Sequence, residues 1–226
     1  MEPRDRLVVA VDLSARDAIL RLVDDLRGVA GTFKIGLQAF LANGPSIVRE
    51  IVDSGERVFL DLKIHDIPNT AGHAVAEAAA LGASMATVHA AGGAAMLRAC
   101  ADSAGDVLVL GVTILTSLDE PDLQGIGFSG SPLTNAVRLA RLAQDAGLRG
   151  VVASPLEIAA IREACGADFV ILTPGIRPAG SDAGDQRRTM TPREATAAGA
   201  DYLVVGRPIT GAADPRSAAR RILEEM

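Results

Sequence analysis

The chain has 226 residues, a formal net charge of −6 at pH 7 and a pI near 5.1. This acidic balance argues against a nucleic-acid partner, because proteins that bind nucleic acids usually carry a basic face. Hydrophobic residues make up 49% of the chain, enough for one large core, and no apolar run is long enough to cross a membrane. We therefore expect a cytoplasmic protein without a membrane partner, with Cys100 and Cys165 as reduced core residues.

Short β-branched segments alternate with longer segments of helical period along the whole chain. The predicted strands are Leu7–Asp12, Thr32–Gly36, Arg57–Lys63, Ser84–His89, Val107–Thr113, Gly150–Ala153, Phe169–Leu172 and Tyr202–Val205. The predicted helices are Ala15–Arg27, Gln38–Asp53, Pro68–Leu81, Ala94–Ser103, Leu133–Ala146, Pro155–Ala164, Pro192–Ala198 and Pro215–Glu224. Eight βα units without a break in composition predict a single-domain (β/α)8 TIM barrel over residues 1–226. An open doubly wound sheet is the main alternative, but it usually has fewer units.

Two connections, Leu115–Ser131 and Thr173–Thr191, are too long to be simple turns. Both follow the carboxyl end of a predicted strand, which is where barrel enzymes place their chemistry. The second is rich in Gly, Ser, Asp and Arg, and this composition predicts a mobile cover over the site. Within it we interpret Arg187 and Arg188 as solvated loop residues.

The third predicted strand carries charges at alternating positions. Phe59, Asp61 and Lys63 share one face, and we expect the opposite, apolar face to contact the helices, which turns Asp61 and Lys63 toward the barrel axis. Charges there must be paired and close to the barrel mouth. Asp66 follows at the start of the next helix, just before Pro68. An ion pair between Asp61 and Lys63 and a helix-capping Asp66 are the purely structural alternatives.

Lys34 and Lys63 are the only lysines among 22 basic residues. They lie at the ends of neighbouring predicted strands, and Asp12 ends the strand before them. A codon bias toward arginine explains the arginines but not the positions of the two lysines. An ammonium group can be tuned to release a proton, whereas a guanidinium group is effectively never deprotonated, so the retained lysines indicate acid–base chemistry.

The last two predicted strands lead into segments suited to phosphate binding. Gly206 permits close backbone approach, Arg207 can grip a phosphate, and the amides of the following helical turn favour an anion. Arg177 adds a second arginine after the seventh strand. The loops after strands seven and eight are a recurrent phosphate site in barrels. The three histidines show no metal-ligand spacing, so we expect no metal.

The chain resembles the orotidine 5′-monophosphate decarboxylase family over nearly its whole length. The segments that carry the resemblance are Val9–Asp12, Phe33–Gly36, Asp61–Thr70, Val88–Ala90, Leu115–Ser117, Pro174–Pro178 and Val205–Ile209. The run Asp61-Leu62-Lys63-Ile64-His65-Asp66 is the most specific of them. The resemblance implies conversion of orotidine 5′-monophosphate to UMP, the final step of de novo pyrimidine biosynthesis, without a metal or an organic cofactor.

The resemblance also implies roles for individual residues. Lys63 would donate a proton to C6 as carbon dioxide leaves, Asp61 would lie beside the substrate carboxylate, and Lys34 and Asp66 would complete a charge network. The implied substrate contacts are Asp12 and Lys34 to the ribose, Thr116 and Ser154 to the pyrimidine, and Arg177, Gln186, Gly206 and Arg207 to the phosphate. Asp66, Ile67 and Thr70 would be offered across a homodimer interface into the neighbour's site.

Two alternative functions remain open from the sequence. Related phosphosugar barrels, such as 3-keto-gulonate 6-phosphate decarboxylase and hexulose-phosphate synthase, share Asp-x-Lys-x-x-Asp but use a magnesium ion and an acidic residue where Lys34 stands. A cation at that position disfavours a metal, and the long loop with Arg177 and Gln186 favours a nucleotide. A catalytically silent phosphate-binding protein would bind nucleotide without turnover, and the retained lysines argue against it.

Overall fold

The computed structural model describes residues 1–178 and 188–226. Eight parallel strands close into a barrel in chain order, with β1 paired to both β2 and β8. The strands are β1 Leu7–Ala10, β2 Thr32–Gly36, β3 Val58–Ile64, β4 Met85–His89, β5 Leu108–Val112, β6 Gly150–Val152, β7 Val170–Thr173 and β8 Tyr202–Val205. The predicted TIM-barrel fold is confirmed.

Helices surround the barrel. They are α1 Pro3–Arg6, α2 Arg16–Leu26, α3 Leu37–Asn43, α4 Ser46–Asp53, α5 Pro68–Ala80, α6 Gly93–Asp102, α7 Glu120–Gly125, α8 Pro132–Asp145, α9 Ile158–Cys165, α10 Pro192–Ala198, α11 Arg207–Thr210 and α12 Pro215–Glu224. Two 3₁₀ turns, Ala90–Gly92 and Pro155–Glu157, follow β4 and β6. Within the described ranges no helix combines the length and apolar character needed to cross a bilayer.

The prediction of one helix over Gln38–Asp53 was wrong. Two helices occupy this range, because Gly44 ends α3 in a left-handed conformation (φ 67°) and Pro45 precedes the first turn of α4. The connection Leu115–Ser131, for which no helix was predicted, contains α7. Asp119 caps α7 through a reciprocal pair of hydrogen bonds with Asp122, which satisfies amides at the helix start.

The apolar core has two layers that follow the alternation of side chains along the strands. The barrel interior is filled by Val8, Ala10, Phe59, Met85, Leu110, Leu172 and Val204. Residues of the opposite strand faces, such as Val9, Val58 and Leu60, pack in the layer between strands and helices. Phe59 faces inward as predicted, and the packed interior forms an apolar floor beneath the barrel mouth.

Candidate active site

A cavity of about 300 Å³ opens at the carboxyl ends of the strands. Its floor is formed by apolar residues of the barrel interior, including Phe59, Leu172 and Val204. The residues predicted for the site that line this cavity are Asp12, Lys34, Asp61, Lys63, Thr116, Arg177, Gly206 and Arg207. The volume lies in the range of small-molecule sites.

Four charged side chains alternate in sign across one wall of this cavity. Lys63 Nζ lies 2.8 Å from Asp61 Oδ1 and 2.9 Å from Asp61 Oδ2. Lys34 Nζ lies 3.5 Å from Asp61 Oδ2 and 3.2 Å from Asp12 Oδ1. Asp61 and Lys34 are buried, while the Lys63 side chain keeps 32% of its surface exposed. The pairing of opposite charges offsets the cost of burying these side chains above an apolar core.

The environment of Asp61 favours its ionised form. Burial raises the pKa of the Asp61 carboxyl, but the charges of Lys63 and Lys34, with hydrogen bonds from Lys63 and Thr87, outweigh burial and bring this pKa below its usual value. Asp61 is therefore a carboxylate at neutral pH, held against an ammonium group that faces the cavity.

Thr87 on β4 was missed by sequence reasoning. Its hydroxyl is fully buried, accepts a 2.9 Å hydrogen bond from Lys63 N and donates a 2.9 Å hydrogen bond to Asp61 Oδ1. The one available signal was a threonine in an otherwise apolar run, Met-Ala-Thr-Val, opposite the charged strand.

The phosphate-side residues Arg177, Gly206 and Arg207 line the part of the cavity formed by the segments after β7 and β8. Arg207 begins α11 directly after β8, which places the predicted helical turn beside Gly206. Arg177 N donates a 2.9 Å hydrogen bond to Met190 O, and this bond joins the two ends of the connection after β7. Gln186 and Arg187 lie outside the described residues.

The interpretation of Arg188 as a solvated residue was wrong. Its side chain is only 14% exposed and forms an ion pair with Glu157, whose side chain is 1% exposed. Arg188 also donates hydrogen bonds to the carbonyl oxygens of Leu115 (3.0 Å) and Thr116 (3.4 Å). Burial raises the pKa of the Glu157 carboxyl, and this effect outweighs the opposing effects of Arg188 and the Ser154 amide. The charge of Arg188 therefore offsets part of the cost of burying this carboxylate.

Ser154 is fully buried and lies beside the cavity wall rather than among its lining residues. Its amide donates a 2.9 Å hydrogen bond to Glu157 Oε2, and its hydroxyl accepts a 3.4 Å hydrogen bond from Leu156 N. Its neighbours Val152 and Ala153 line the cavity. The predicted contact of Ser154 with the pyrimidine therefore stays a prediction.

Asp66, Ile67 and Thr70 lie on the surface at the start of α5, away from the cavity of their own chain. Asp66 Oδ1 accepts a 2.7 Å hydrogen bond from Ile67 N. Among the residues that the structure describes, Asp66 forms no ion pair with either lysine. The structure thus brings together Asp12, Lys34, Asp61 and Lys63, whereas Asp66 lies apart from them.

The histidines show no metal-binding arrangement. The rings of His65 and His89 lie 5.4 Å apart, and burial together with the charges of His65 and Lys63 lowers the pKa of His89. Across residues 1–178 and 188–226, no three His, Cys, Asp or Glu side chains are grouped as metal ligands would be.

A closed parallel barrel whose mouth combines a lysine–aspartate network at the ends of β1 to β3 with two arginines after β7 and β8 is typical of a TIM-barrel enzyme that acts on a phosphorylated substrate. Residues 5–222 match the orotidine 5′-phosphate decarboxylase / HUMPS family, and the chain belongs to this family. The enzyme class predicted from the sequence is thereby confirmed.

Relatives and solved structures agree with this assignment. The orotidine 5′-phosphate decarboxylase of Moorella thermoacetica is 51% identical, covering 100% of this chain and 94% of the relative. That of Paramagnetospirillum magneticum is 49% identical, covering 96% and 97%. The crystal structure of orotidine 5′-phosphate decarboxylase from Lactobacillus acidophilus superposes with a TM-score of 0.87 at 34% identity and covers 97% of each chain.

Proposed function

We propose that the chain decarboxylates orotidine 5′-monophosphate to UMP, the final step of de novo pyrimidine biosynthesis, with Lys63 as the proton donor and no metal or organic cofactor. The observation that carries this proposal is the position of the Lys63 ammonium group. It faces the cavity while two oxygens of the ionised Asp61 hold it at 2.8 and 2.9 Å.

The chemistry explains why such an ammonium group is needed. The bond between C6 and its carboxylate breaks, carbon dioxide leaves, and the electron pair stays on C6 until a proton from Lys63 forms the new C–H bond. Solvent then returns a proton to the lysine amine. The carbanion at C6 has no conjugated sink, so a preorganised cation must stabilise it before it is protonated.

Asp61 and Lys34 complete the reacting end of the site. An ionised Asp61 beside the substrate carboxylate destabilises the bound substrate, and this repulsion disappears as carbon dioxide leaves. Lys34 and Asp12 bind the ribose hydroxyls in this proposal, which is supported by their pairing at 3.2 Å in the cavity wall. Thr116 and Ser154 bind the pyrimidine in this proposal.

The phosphate is bound far from the reacting bond, by Arg177, Gln186, Gly206 and Arg207. Arg177, Gly206 and Arg207 line the cavity after β7 and β8, whereas Asp61 and Lys63 extend from β3. Binding energy from this remote group can be used to hold the pyrimidine against Lys63 and Asp61.

The position of Lys34 favours this reaction over the metal-dependent phosphosugar chemistry of related barrels. Its ammonium group lies between the carboxylates of Asp12 and Asp61, at 3.2 and 3.5 Å. A divalent cation bound by these two carboxylates would have to displace it, against the repulsion of two lysines.

The test is an assay of the purified protein in excess chelator, which follows the loss of orotate absorbance. We expect full turnover. We expect Lys63→Ala and Lys63→Arg to abolish turnover while UMP still binds, because arginine keeps the charge but cannot release a proton. A requirement for added magnesium, or turnover by Lys63→Arg, would overturn the proposal.

We further propose a cytoplasmic homodimer in which each chain supplies Asp66, Ile67 and Thr70 to its neighbour's site. The support is their exposure at the start of α5, where Ile67 is an apolar side chain with 66% of its surface exposed next to the carboxylate of Asp66.

Mixing inactive Lys63→Ala and Asp66→Asn proteins tests this arrangement. A mixed dimer has one site with both wild-type residues, so statistical reassociation should restore about a quarter of wild-type activity. If each site is built from one chain, no activity returns.

A further inference from the structure

The backbone of the catalytic strand is irregular where its charges occur. β3 and β4 pair in regular register at Phe59↔Met85 and Leu60↔Ala86, but the next partners are Ile64↔Val88. Three residues of β3, Asp61 to Lys63, therefore face the single residue Thr87. Such a bulge leaves ladder hydrogen bonds unmade and changes the direction of the side chains within it.

Lys63 lies at the end of this bulge in a costly conformation. Its φ of 52° is the only positive φ of a non-glycine residue in the described part of the chain. Long side chains rarely adopt this left-handed region, and such a residue persists when surrounding contacts hold it.

Thr87 supplies those contacts. Its hydroxyl oxygen accepts the Lys63 N–H at 2.9 Å, and its single proton is donated to Asp61 Oδ1 at 2.9 Å. Because the oxygen receives the backbone N–H, the hydroxyl proton is free to point at the carboxylate. One side chain thus holds the Lys63 backbone and the Asp61 carboxylate that binds the Lys63 ammonium group.

We propose that Thr87 is a positioning residue for decarboxylation, which sets the place of the Lys63 ammonium group through the bulge backbone and through Asp61. Thr87 is fully buried and lies outside the set of residues that line the cavity, so it acts without touching substrate. The inference rests on the proposed role of Lys63 as proton donor.

The variant Thr87→Val removes the hydroxyl and keeps the shape of the side chain. A displacement of reacting groups on the order of 1 Å can reduce a rate about 100-fold. We expect kcat to fall by about 10- to 100-fold with little change in KM, because the phosphate and ribose contacts stay in place. Thr87→Ser keeps both hydrogen bonds and should recover most of kcat.

Thr32→Val is a matched control. Thr32 is a fully buried threonine at the start of β2, and its hydroxyl oxygen has no hydrogen-bond partner among the described residues. The same chemical change there should leave kcat and KM unchanged and should not lower the thermal midpoint, since it removes an unpaired polar group from the core.

Rates are expressed per folded site, counted by UMP titration, so that a loss of folded protein does not imitate a loss of kcat. A wild-type kcat in Thr87→Val, or an equal loss in Thr87→Ser, would overturn the inference. So would a loss that falls on KM alone. Turnover by Lys63→Ala would overturn the proposed role of Lys63 itself. Loss of turnover in Lys63→Ala together with a wild-type kcat in Thr87→Val would overturn only the role of Thr87.

Discussion

Replacing Arg188 by methionine should destabilise the protein strongly, although the residue sits in a loop of polar composition. The change removes the arginine partner of the Glu157 carboxylate, whose side chain is 1% exposed. Among residues 1–178 and 188–226, the Ser154 amide at 2.9 Å is then the hydrogen-bond donor left to this carboxylate. Removing one member of a buried ion pair costs about 3–5 kcal/mol. For a chain of this size, about 3 kcal/mol corresponds to a fall of roughly 6–12 °C in thermal midpoint.

The stability lost in Arg188→Met should depend on pH. Burial already raises the pKa of Glu157, and loss of Arg188 removes its opposing charge and raises that pKa further. A carboxyl group whose pKa is higher in the folded than in the unfolded state destabilises the fold as pH rises through the folded-state value. The deficit of Arg188→Met should therefore be larger at neutral pH than in mild acid.

The measurement is urea unfolding of the wild type, Arg188→Met and Arg188→Met/Glu157→Gln, each at neutral and mildly acidic pH. The double variant should regain much of the loss, because glutamine can still accept the Ser154 N–H without carrying a charge. Arg16→Met breaks a pair with Glu50 that is largely exposed to solvent, and it should leave the midpoint nearly unchanged. A deficit in Arg188→Met no larger than in Arg16→Met would refute the reasoning.

Three further outcomes can be measured. Lys34→Met removes one of the two charges, Lys63 and Lys34, that keep the pKa of Asp61 below its usual value against burial, so the acid limb of the pH–activity profile should move to higher pH; an unchanged limb would contradict this account. Gly150→Ala should destabilise the barrel by at least about 1 kcal/mol in urea unfolding, because its Cβ would lie 2.5 Å from Val170 O across the β6–β7 pair; wild-type stability would show that the strands can separate. Burial raises the pKa of the Cys100 thiol to about 11, so a thiol reagent at pH 8 should modify it only after urea is added, and rapid labelling of the native protein would count against this.

Local sequence patterns were sufficient to predict the barrel and the face of β3 on which the charged side chains lie. Alternation along β3 predicted one shared inner face for Phe59, Asp61 and Lys63, and all three line the cavity, although the bulge at Asp61–Lys63 interrupts the regular alternation. The carboxyl ends of parallel strands meet at one rim, so Lys34 and Asp61 could be expected to meet before any contact was known.

Contacts between distant segments could not be predicted in this way. Thr87 meets Asp61 across 26 positions of sequence, and Arg188 meets Glu157 across 31. In each case the local composition indicated something else: a threonine in an apolar strand reads as a tolerated core residue, and an arginine in a Gly- and Ser-rich loop reads as solvated. The prediction of a single helix over Gln38–Asp53 was wrong for a local reason. The apolar periodicity of this segment is continuous, but the Gly44–Pro45 pair within it is a helix-terminating signal.

The left-handed backbone of Lys63 (φ 52°) has a consequence for which amino acid suits this position. Asparagine or glycine would occupy that conformation with less strain, by on the order of 1 kcal/mol, so the amino acid best suited to the backbone differs from the lysine that occurs there. At the same position Lys63 pairs with the buried Asp61 carboxylate, so the strain relieved by such a substitution is opposed by the loss of an ion pair. Backbone strain and ion pairing thus act in opposite directions at this single position, and the lysine is kept there at a cost to the local backbone.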